Sequence, residues 1–119
     1  MRKLLLSVGL IATLSFGVTT EELSNYEKVA NQGNTDAQSN LGKMYNEGYG
    51  VEIDKKKATY WYERAANKGN IEAQNTLGYI YLQKENYKEA FYWYKKASDQ
   101  GDFGAELIIK KMYANGFIK

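Results

Sequence analysis

One stretch of the sequence occurs twice in similar form. The first copy runs from Ala37 to Asn70 and reads AQSNLGKMYNEGYGVEIDKKKATYWYERAANKGN, and the second runs from Ala73 to Asp102 and reads AQNTLGYIYLQKENYKEAFYWYKKASDQGD. The alanine, leucine, glycine and tyrosine positions of the first half recur at one constant offset, and the tryptophan, tyrosine and alanine positions of the second half recur at a slightly shorter one. Self-similarity of this kind indicates a protein built by stacking one supersecondary unit.

Each half of the repeated stretch predicts a helix. The second half carries one apolar stripe at helical spacing, and so does the first; the residues are Ala58, Trp61, Tyr62, Ala65 and Ala66, then Ala37, Leu41, Met44 and Tyr45. The difference in length between the two copies falls in the connection between the halves. A connection that changes length while its flanks keep their spacing is typical of a surface turn.

The repeat continues outward in both directions, but only by half a unit. Residues 26–34 align with 62–70 and form a second half without a first, whereas residues 105–116 align with 37–48 and form a first half without a second. We therefore predict six helices, near residues 20–33, 35–47, 55–68, 71–83, 87–100 and 103–114. The predicted fold is all-α, a short α/α solenoid of antiparallel helix pairs with about two and a half repeats.

Glycine and small polar residues mark the turns. Gly33, Gly69 and Gly101 are predicted to end helices in the left-handed conformation, and the residue after each can cap the next helix: Asn34, Asn70 and Asp102. Gly42 and Gly78 lie inside predicted helices, where glycine costs about 1 kcal/mol relative to alanine. The expected compensation is a close approach of the two helices of a pair, with aromatic rings packed over the gap.

The composition excludes several chemistries. The chain has no cysteine and no histidine, which rules out disulfides, thiolate or imidazole metal sites and catalysis that depends on either residue. We predict no metal and no cofactor. The dense basic run Lys55-Lys56-Lys57 is predicted to be a solvated first helical turn behind the N-cap Asp54 rather than a phosphate site.

The first residues differ from the rest of the chain. Arg2 and Lys3 precede an uncharged apolar run from Leu4 to Phe16, and the small residues Ser15 and Gly17 lie two apart at its end. This arrangement predicts a signal peptide at residues 1–19, a mature chain that begins near Val18 to Thr20, and export to the periplasm or the exterior. The alternative is an N-terminal membrane anchor, but the run is short against the roughly 20 residues that span a bilayer. No stable membrane span is expected after removal.

Removal of the signal would also change the charge balance. The chain has 16 basic and 14 acidic residues, and Arg2 and Lys3 would leave with the signal, so the mature chain balances at 14 and 14. A balanced chain gives no electrostatic reason to bind nucleic acid, and we predict no nucleic-acid partner.

The repeated skeleton resembles the Sel-like repeat family, which is related to the tetratricopeptide repeats. The resemblance rests on Ala-x-x-x-Leu-Gly-x-x-Tyr from Ala37, the Gly48-x-Gly50-Val51 loop with Asp54, and Lys57-Ala58-x-x-Trp61-Tyr62. It covers nearly all of the chain beyond the N-terminus. The second copy departs from the family because Gln83-Lys84-Glu85-Asn86 replaces the glycine loop. The resemblance implies a repeat domain at 20–119, with a half repeat at 20–34, full repeats at 35–70 and 71–102, and a terminal half repeat at 103–119.

The resemblance also implies a function. The family suggests an adaptor that binds a protein or peptide, in envelope regulation, secretion or host contact. Tetratricopeptide relatives bind ligands along the first helix of each pair, which here implies a groove at Ser39, Lys43, Asn46, Asn75, Tyr79, Leu82 and Lys111, with Leu107 beside them. Tyr79 is the expected anchor, because exposed aromatic residues dominate many binding sites; the alternative is that Tyr79 packs on a neighbouring helix.

Other functions stay open at this stage. The chain could be a structural or inhibitory subunit that docks through its ends, or an accessory protein that binds cell-wall glycan or an enzyme. Some cysteine-rich members of the family are described as hydrolysing β-lactams, but this chain lacks their paired cysteines and has no Ser-x-x-Lys motif. The carboxylates Glu52 and Asp54 are explained as loop and cap residues. The aromatic runs at 60–62 and 91–94 are predicted to pack the core, and we do not predict an enzyme.

Overall fold

A computed structural model describes residues 17–119. These residues form six α-helices and no β-strand: α1 (Thr20–Asn31), α2 (Thr35–Glu47), α3 (Lys55–Asn67), α4 (Ile71–Gln83), α5 (Tyr87–Asp99) and α6 (Phe103–Ala114). The six predicted helices are confirmed, and three of them end one or two residues earlier than predicted. The prediction of a signal peptide falls mainly on residues 1–16 and lies outside the described residues.

The predicted turn chemistry is confirmed. Gly33, Gly69 and Gly101 have φ values of 101°, 95° and 95°, a region that glycine enters without a steric penalty. The residue after each accepts a hydrogen bond at the start of the next helix: Asn34 from the backbone N–H of Ala37 (2.9 Å), Asn70 from that of Ala73 (2.8 Å) and Asp102 from that of Ala105 (2.9 Å). Each cap satisfies one backbone donor that would otherwise lack a partner.

The described helices divide into two compact units, one ending at Trp61 and the other running from Tyr62 to Lys119. In the N-terminal unit, α1 packs against α2. Two side chains of α2 bind α1, because Gln38 Nε2 donates to the carbonyl of Ala30 (2.9 Å) and the Tyr45 hydroxyl donates to Glu27 Oε1 (3.0 Å). The pKa of Tyr45 is raised to about 12, first by burial and then by this bond to the carboxylate.

The loop from α2 to α3 also closes on Tyr45. The backbone N–H of Asp54 donates to the Tyr45 carbonyl (2.9 Å), and the Asp54 carboxylate accepts from the N–H of Lys57 (3.1 Å), which confirms Asp54 as the cap of α3. The Lys57 ammonium lies 5.2 Å from the centre of the Tyr45 ring. All three lysines of the basic run are exposed, as predicted.

In the C-terminal unit, α5 packs against both α4 and α6. The buried cluster between α5 and α6 consists of Ala90, Tyr94, Ala97, Ala105, Ile109 and Met112, and partly buried residues of α4, including Tyr81 and Leu82, pack against it. The chain beyond α6 returns to α5, since the Phe117 ring stacks on the Tyr87 ring with centres 4.3 Å apart.

The predicted close approach of a helix pair is confirmed at Gly78. A Cβ atom placed on Gly78 would lie 2.8 Å from two carbons of the buried Tyr94 ring, so α4 can cross α5 at this distance only without a side chain there.

The aromatic runs at 60–62 and 91–94 belong to the core only in part. Trp61 and Trp93 are buried, as predicted, but Tyr60 and Tyr92 are exposed; each stands edge-on to the tryptophan that follows it.

Candidate protein-binding site

The groove positions predicted in the N-terminal unit differ in their exposure. Lys43 is exposed on α2. Ser39 is only 3% exposed, and its hydroxyl makes no hydrogen bond within the described residues. Asn46 is half-buried, and both its carbonyl (2.8 Å) and its side-chain oxygen (3.1 Å) accept from the Lys55 ammonium. Of the three, Lys43 alone can meet a ligand without disturbing an existing contact or the core.

The positions predicted in the C-terminal unit are more accessible. Tyr79 on α4 is 57% exposed, and Lys111 on α6 is exposed, as is Leu107 one turn before it. Leu82 is different, because it is half-buried and packs against the cluster between α5 and α6. Its side chain therefore serves the core of this unit, whereas the sequence pattern placed it on a face that the core does not use.

A hydrogen bond connects the two helices that carry these residues. Asn75 Nδ2 donates to Asp102 Oδ2 (3.2 Å), and the same carboxylate oxygen caps α6. Tyr79 follows Asn75 by one turn of α4, and Leu107 lies in the second turn of α6. We call the surface formed by Asn75, Tyr79, Leu107 and Lys111 the α4–α6 surface. It offers an aromatic ring, an aliphatic side chain and a cation.

The buried polar groups beside this surface remain neutral in the physiological range. The pKa of the Tyr94 phenol is raised to about 12, mainly by burial and further by the neighbouring Tyr79 phenol. The side-chain oxygen of Asn75 is buried and makes no hydrogen bond within the described residues. These groups can exchange hydrogen bonds, but they provide neither a nucleophile nor a general base poised near neutrality.

The structure shows a second concave feature that the groove prediction did not include. A pocket of about 740 Å³ lies in the N-terminal unit between α1, α2 and the loop that follows α2. Its apolar lining comes from Val18, Tyr26, Val29, Leu41, Met44 and Tyr49, and its polar lining comes from Asn34, Asp36 and Asn40. We call it the α1–α2 pocket. The sequence held one signal for it, since α1 is a second-half helix and residues 17–119 contain no first-half helix to precede it.

Residues 17–119 also bear on metal binding and on contact with a membrane. These residues contain no group of three or more metal-ligating side chains that could hold an ion. None of the helices formed by these residues has the length and apolar character needed to cross a bilayer.

Comparison with known families identifies the repeat. The Sel1 repeat model matches residues 35–70 and 71–102, which together make up more than half of the chain. The chain therefore belongs to the Sel1 repeat family, as its resemblance to the Sel-like repeats indicated. Sel1 repeat proteins generally mediate protein–protein interaction.

Solved structures of the family agree with the fold. A protective antigen present in uropathogenic Escherichia coli strains, which displays an SLR fold, is 37% identical over 76% of this chain and 20% of that protein, with a TM-score of 0.73. A Sel1 repeat protein from Oxalobacter formigenes is 36% identical over 79% of this chain and 41% of that protein, with a TM-score of 0.74. The chain thus spans less than half the length of either protein.

The fold class follows from these observations. The protein is all-α and has the α/α solenoid fold of its family, built from helix pairs, as predicted. Comparison with curated proteins gave no match.

Proposed function

We propose that the protein is an exported adaptor that binds a segment of another protein on the α4–α6 surface. The family supports the class of function, because Sel1 repeats generally mediate protein–protein interaction. The single observation that carries the choice of surface is Tyr79. It is 57% exposed on a helix that the contact of Gly78 with the Tyr94 ring holds against α5.

The surface suits a segment with an apolar anchor. An aromatic ring in a rigid setting gives a large contact area at low entropic cost and is a frequent hot spot. Leu107 extends the apolar area, and Lys111 adds a cation that can bind a carboxylate or a backbone carbonyl of the partner. The bond from Asn75 to Asp102 holds α4 beside the start of α6 before any partner arrives, which lowers the cost of ordering on binding.

The test compares two tyrosines of similar exposure. Tyr79→Ala and Tyr92→Ala each remove an exposed ring, but Tyr92 lies on α5, outside the α4–α6 surface. Each variant and the unchanged protein are used as bait on envelope extract, and the retained proteins are identified and quantified by mass spectrometry. The proposal predicts one partner that Tyr79→Ala loses and Tyr92→Ala retains, with thermal melts of both baits close to that of the unchanged protein. Equal retention by both variants would show that the partner docks elsewhere.

Export is supported by the sequence of residues 1–19 and accords with one relative. The basic head, the apolar run and the small residues after it are typical of a signal peptide. A protective antigen is among the proteins to which this chain is similar. We therefore place the mature protein in the periplasm or outside the cell, with a role in envelope regulation, secretion or host contact. Mass measurement of protein from the producing cell should give a chain that begins near Val18 to Thr20; recovery of the intact chain from membranes would favour an anchor.

A second function has an observation of its own. The α1–α2 pocket lies at the half repeat for which the described residues contain no first helix, so a protein that docks through this pocket would act as a structural or inhibitory subunit. Tyr26→Ala would then weaken binding of the partner, whereas Tyr79→Ala would not. The same pull-down therefore separates the two functions when Tyr26→Ala is included as a third bait.

A further inference from the structure

The helix pair α1–α2 repeats the pair α5–α6. Five core positions correspond at one constant separation along the chain: Tyr26 with Tyr94, Val29 with Ala97, Ala37 with Ala105, Leu41 with Ile109 and Met44 with Met112. The two helix pairs belong to different units, so they can be compared as separate examples of one packing arrangement. The comparison shows what normally covers such a pair.

The pair α5–α6 is covered by α4. Gly78 of α4 meets the Tyr94 ring, and Leu82 of α4 packs against the same cluster. As a result, Tyr94 is 2% exposed and Ala97 is fully buried. No described helix covers the pair α1–α2 in this way. There Tyr26 is 47% exposed and Val29 is 41% exposed, and the α1–α2 pocket opens beside them. The pocket therefore corresponds to the position of α4.

The residues that precede the described chain have the length and composition to fill this position. Leu4 to Phe16 is an uncharged apolar run, and it has the same length as α4, which has 13 residues. Residues 17–19 separate the run from α1, and a connection of equal length, residues 84–86, separates α4 from α5. The run ends where the pocket begins, because Gly17 and Val18 line the pocket.

Gly78, which permits the close approach of α4 to α5, also has a counterpart in the apolar run, namely Gly9. The step along the chain from Gly9 to Tyr26 is one residue longer than the step from Gly78 to Tyr94. A glycine in the run can therefore lie close to the Tyr26 ring once the connection shifts by one residue, and connections of this repeat do vary in length. Without a glycine, a side chain would meet the ring, as a Cβ on Gly78 would meet Tyr94 at 2.8 Å.

We propose that the apolar run Leu4 to Phe16 occupies the α1–α2 pocket for as long as the chain retains it, and that its removal uncovers the pocket. The proposal that the run occupies the pocket depends only on the fit between the run and the pocket. The proposal that removal of the run uncovers the pocket rests in addition on the export proposed above. A second copy of the protein is a poorer occupant. Its first-half helix α6 carries Lys110 where α4 carries Gly78, so a long side chain would meet the Tyr26 ring.

The absence of cysteine from the chain makes a direct test possible. With Gly9 in the place of Gly78, Leu10 takes the place of Tyr79, which neighbours Tyr94, and it is therefore expected beside Tyr26. We would introduce Leu10→Cys with Tyr26→Cys into the full chain, treat dilute protein with a short bismaleimide cross-linker, and measure cross-linked monomer by intact mass and peptide mapping. The matched control pairs Leu10→Cys with Lys28→Cys, because Lys28 is exposed on α1 but does not line the pocket.

The outcomes are distinct. Occupancy predicts about tenfold more cross-linked monomer from the Tyr26 pair than from the Lys28 pair, because a docked segment raises the effective concentration of the two thiols. Equal yields from the two pairs, or no cross-link in either, would overturn the proposal. Cross-linked dimer in place of monomer would also overturn it and would indicate a second copy in the pocket. Adding Tyr79→Ala should leave the yield unchanged, so failure of the α4–α6 proposal and failure of this one are separable.

Discussion

Replacement of Gly78 by alanine tests the packing of the C-terminal unit by the sign of its effect. In most helix interiors this change stabilises a protein, because alanine is favoured over glycine by about 1 kcal/mol. At Gly78 the new methyl carbon would lie 2.8 Å from two carbons of the Tyr94 ring and 2.9 Å from a third. Ordinary carbon–carbon contacts are about 3.5–4.0 Å, so either the ring or α4 must move.

Both movements are energetically unfavourable. Tyr94 is 2% exposed and contributes to the cluster between α5 and α6, so its ring has no free space to enter. Moving α4 would separate the helix from the cluster along its length. Overpacking of this kind costs about 1–3 kcal/mol or more. After the gain in helix propensity is subtracted, Gly78→Ala should lower the free energy of unfolding by up to about 2 kcal/mol, with about 1 kcal/mol as the central value.

Urea and thermal melts followed by circular dichroism measure the effect. A loss of about 1 kcal/mol should lower the melting temperature by roughly 4–8 °C in a domain of this size. Gly104→Ala is the matched control, since Gly104 lies in the first turn of α6 and a Cβ there would approach only Asp102, at 3.4 Å. The control should leave stability unchanged or raise it. If Gly78→Ala raised stability as well, the close approach of α4 to Tyr94 would be wrong.

Two further predictions concern the aromatic core. Trp93→Ala and Trp61→Ala each remove a large buried ring and should cost about 3–5 kcal/mol of unfolding free energy, which a urea melt would detect; near-wild-type melts would place these rings at the surface. Stability should also fall at high pH. The pKa of Tyr94 rises from 10.0 to about 12 on folding, chiefly through burial, so between these values the unfolded chain loses a proton that the folded chain keeps, and stability decreases as the pH rises. The Tyr94→Phe variant should lose less stability than the unchanged protein over that pH range. Equal losses would show that the Tyr94 phenol does not cause the pH dependence.

The terminal half repeats show how far the sequence could predict packing. The pattern identified residues 26–34 as a second half without a first and residues 105–116 as a first half without a second. It did not predict the α1–α2 pocket, because a pocket depends on where α2 and the loop at Tyr49 lie relative to α1. At the other end, Phe117 returns to stack on Tyr87, a contact that no repeat position predicted.

The sequence pattern also did not predict the hydrogen bonds made by buried polar side chains. Gln38 and Gln74 each donate to the carbonyl of an alanine near the end of the preceding helix, over 2.9 Å and 3.0 Å. Glutamine is usually exposed, so only the repetition of these positions hinted at a structural role. The buried location of Ser39 and the half-buried location of Leu82 were missed for a related reason. Helical period gives the centre of an apolar face, but neighbouring helices decide how wide the buried face becomes.

The helices, their ends and the class of fold could be predicted from the sequence alone. These features depend on contacts between residues close in the chain: the caps Asn34, Asn70 and Asp102, the left-handed glycines before them, and the apolar stripe of each helix. Which side chains remain available to a partner depends instead on contacts between helices. Tyr60, Tyr79 and Tyr92 are exposed while Tyr94 is buried, although all four are tyrosines on helices of one repeat, because exposure depends on which helix lies opposite and how closely its backbone approaches.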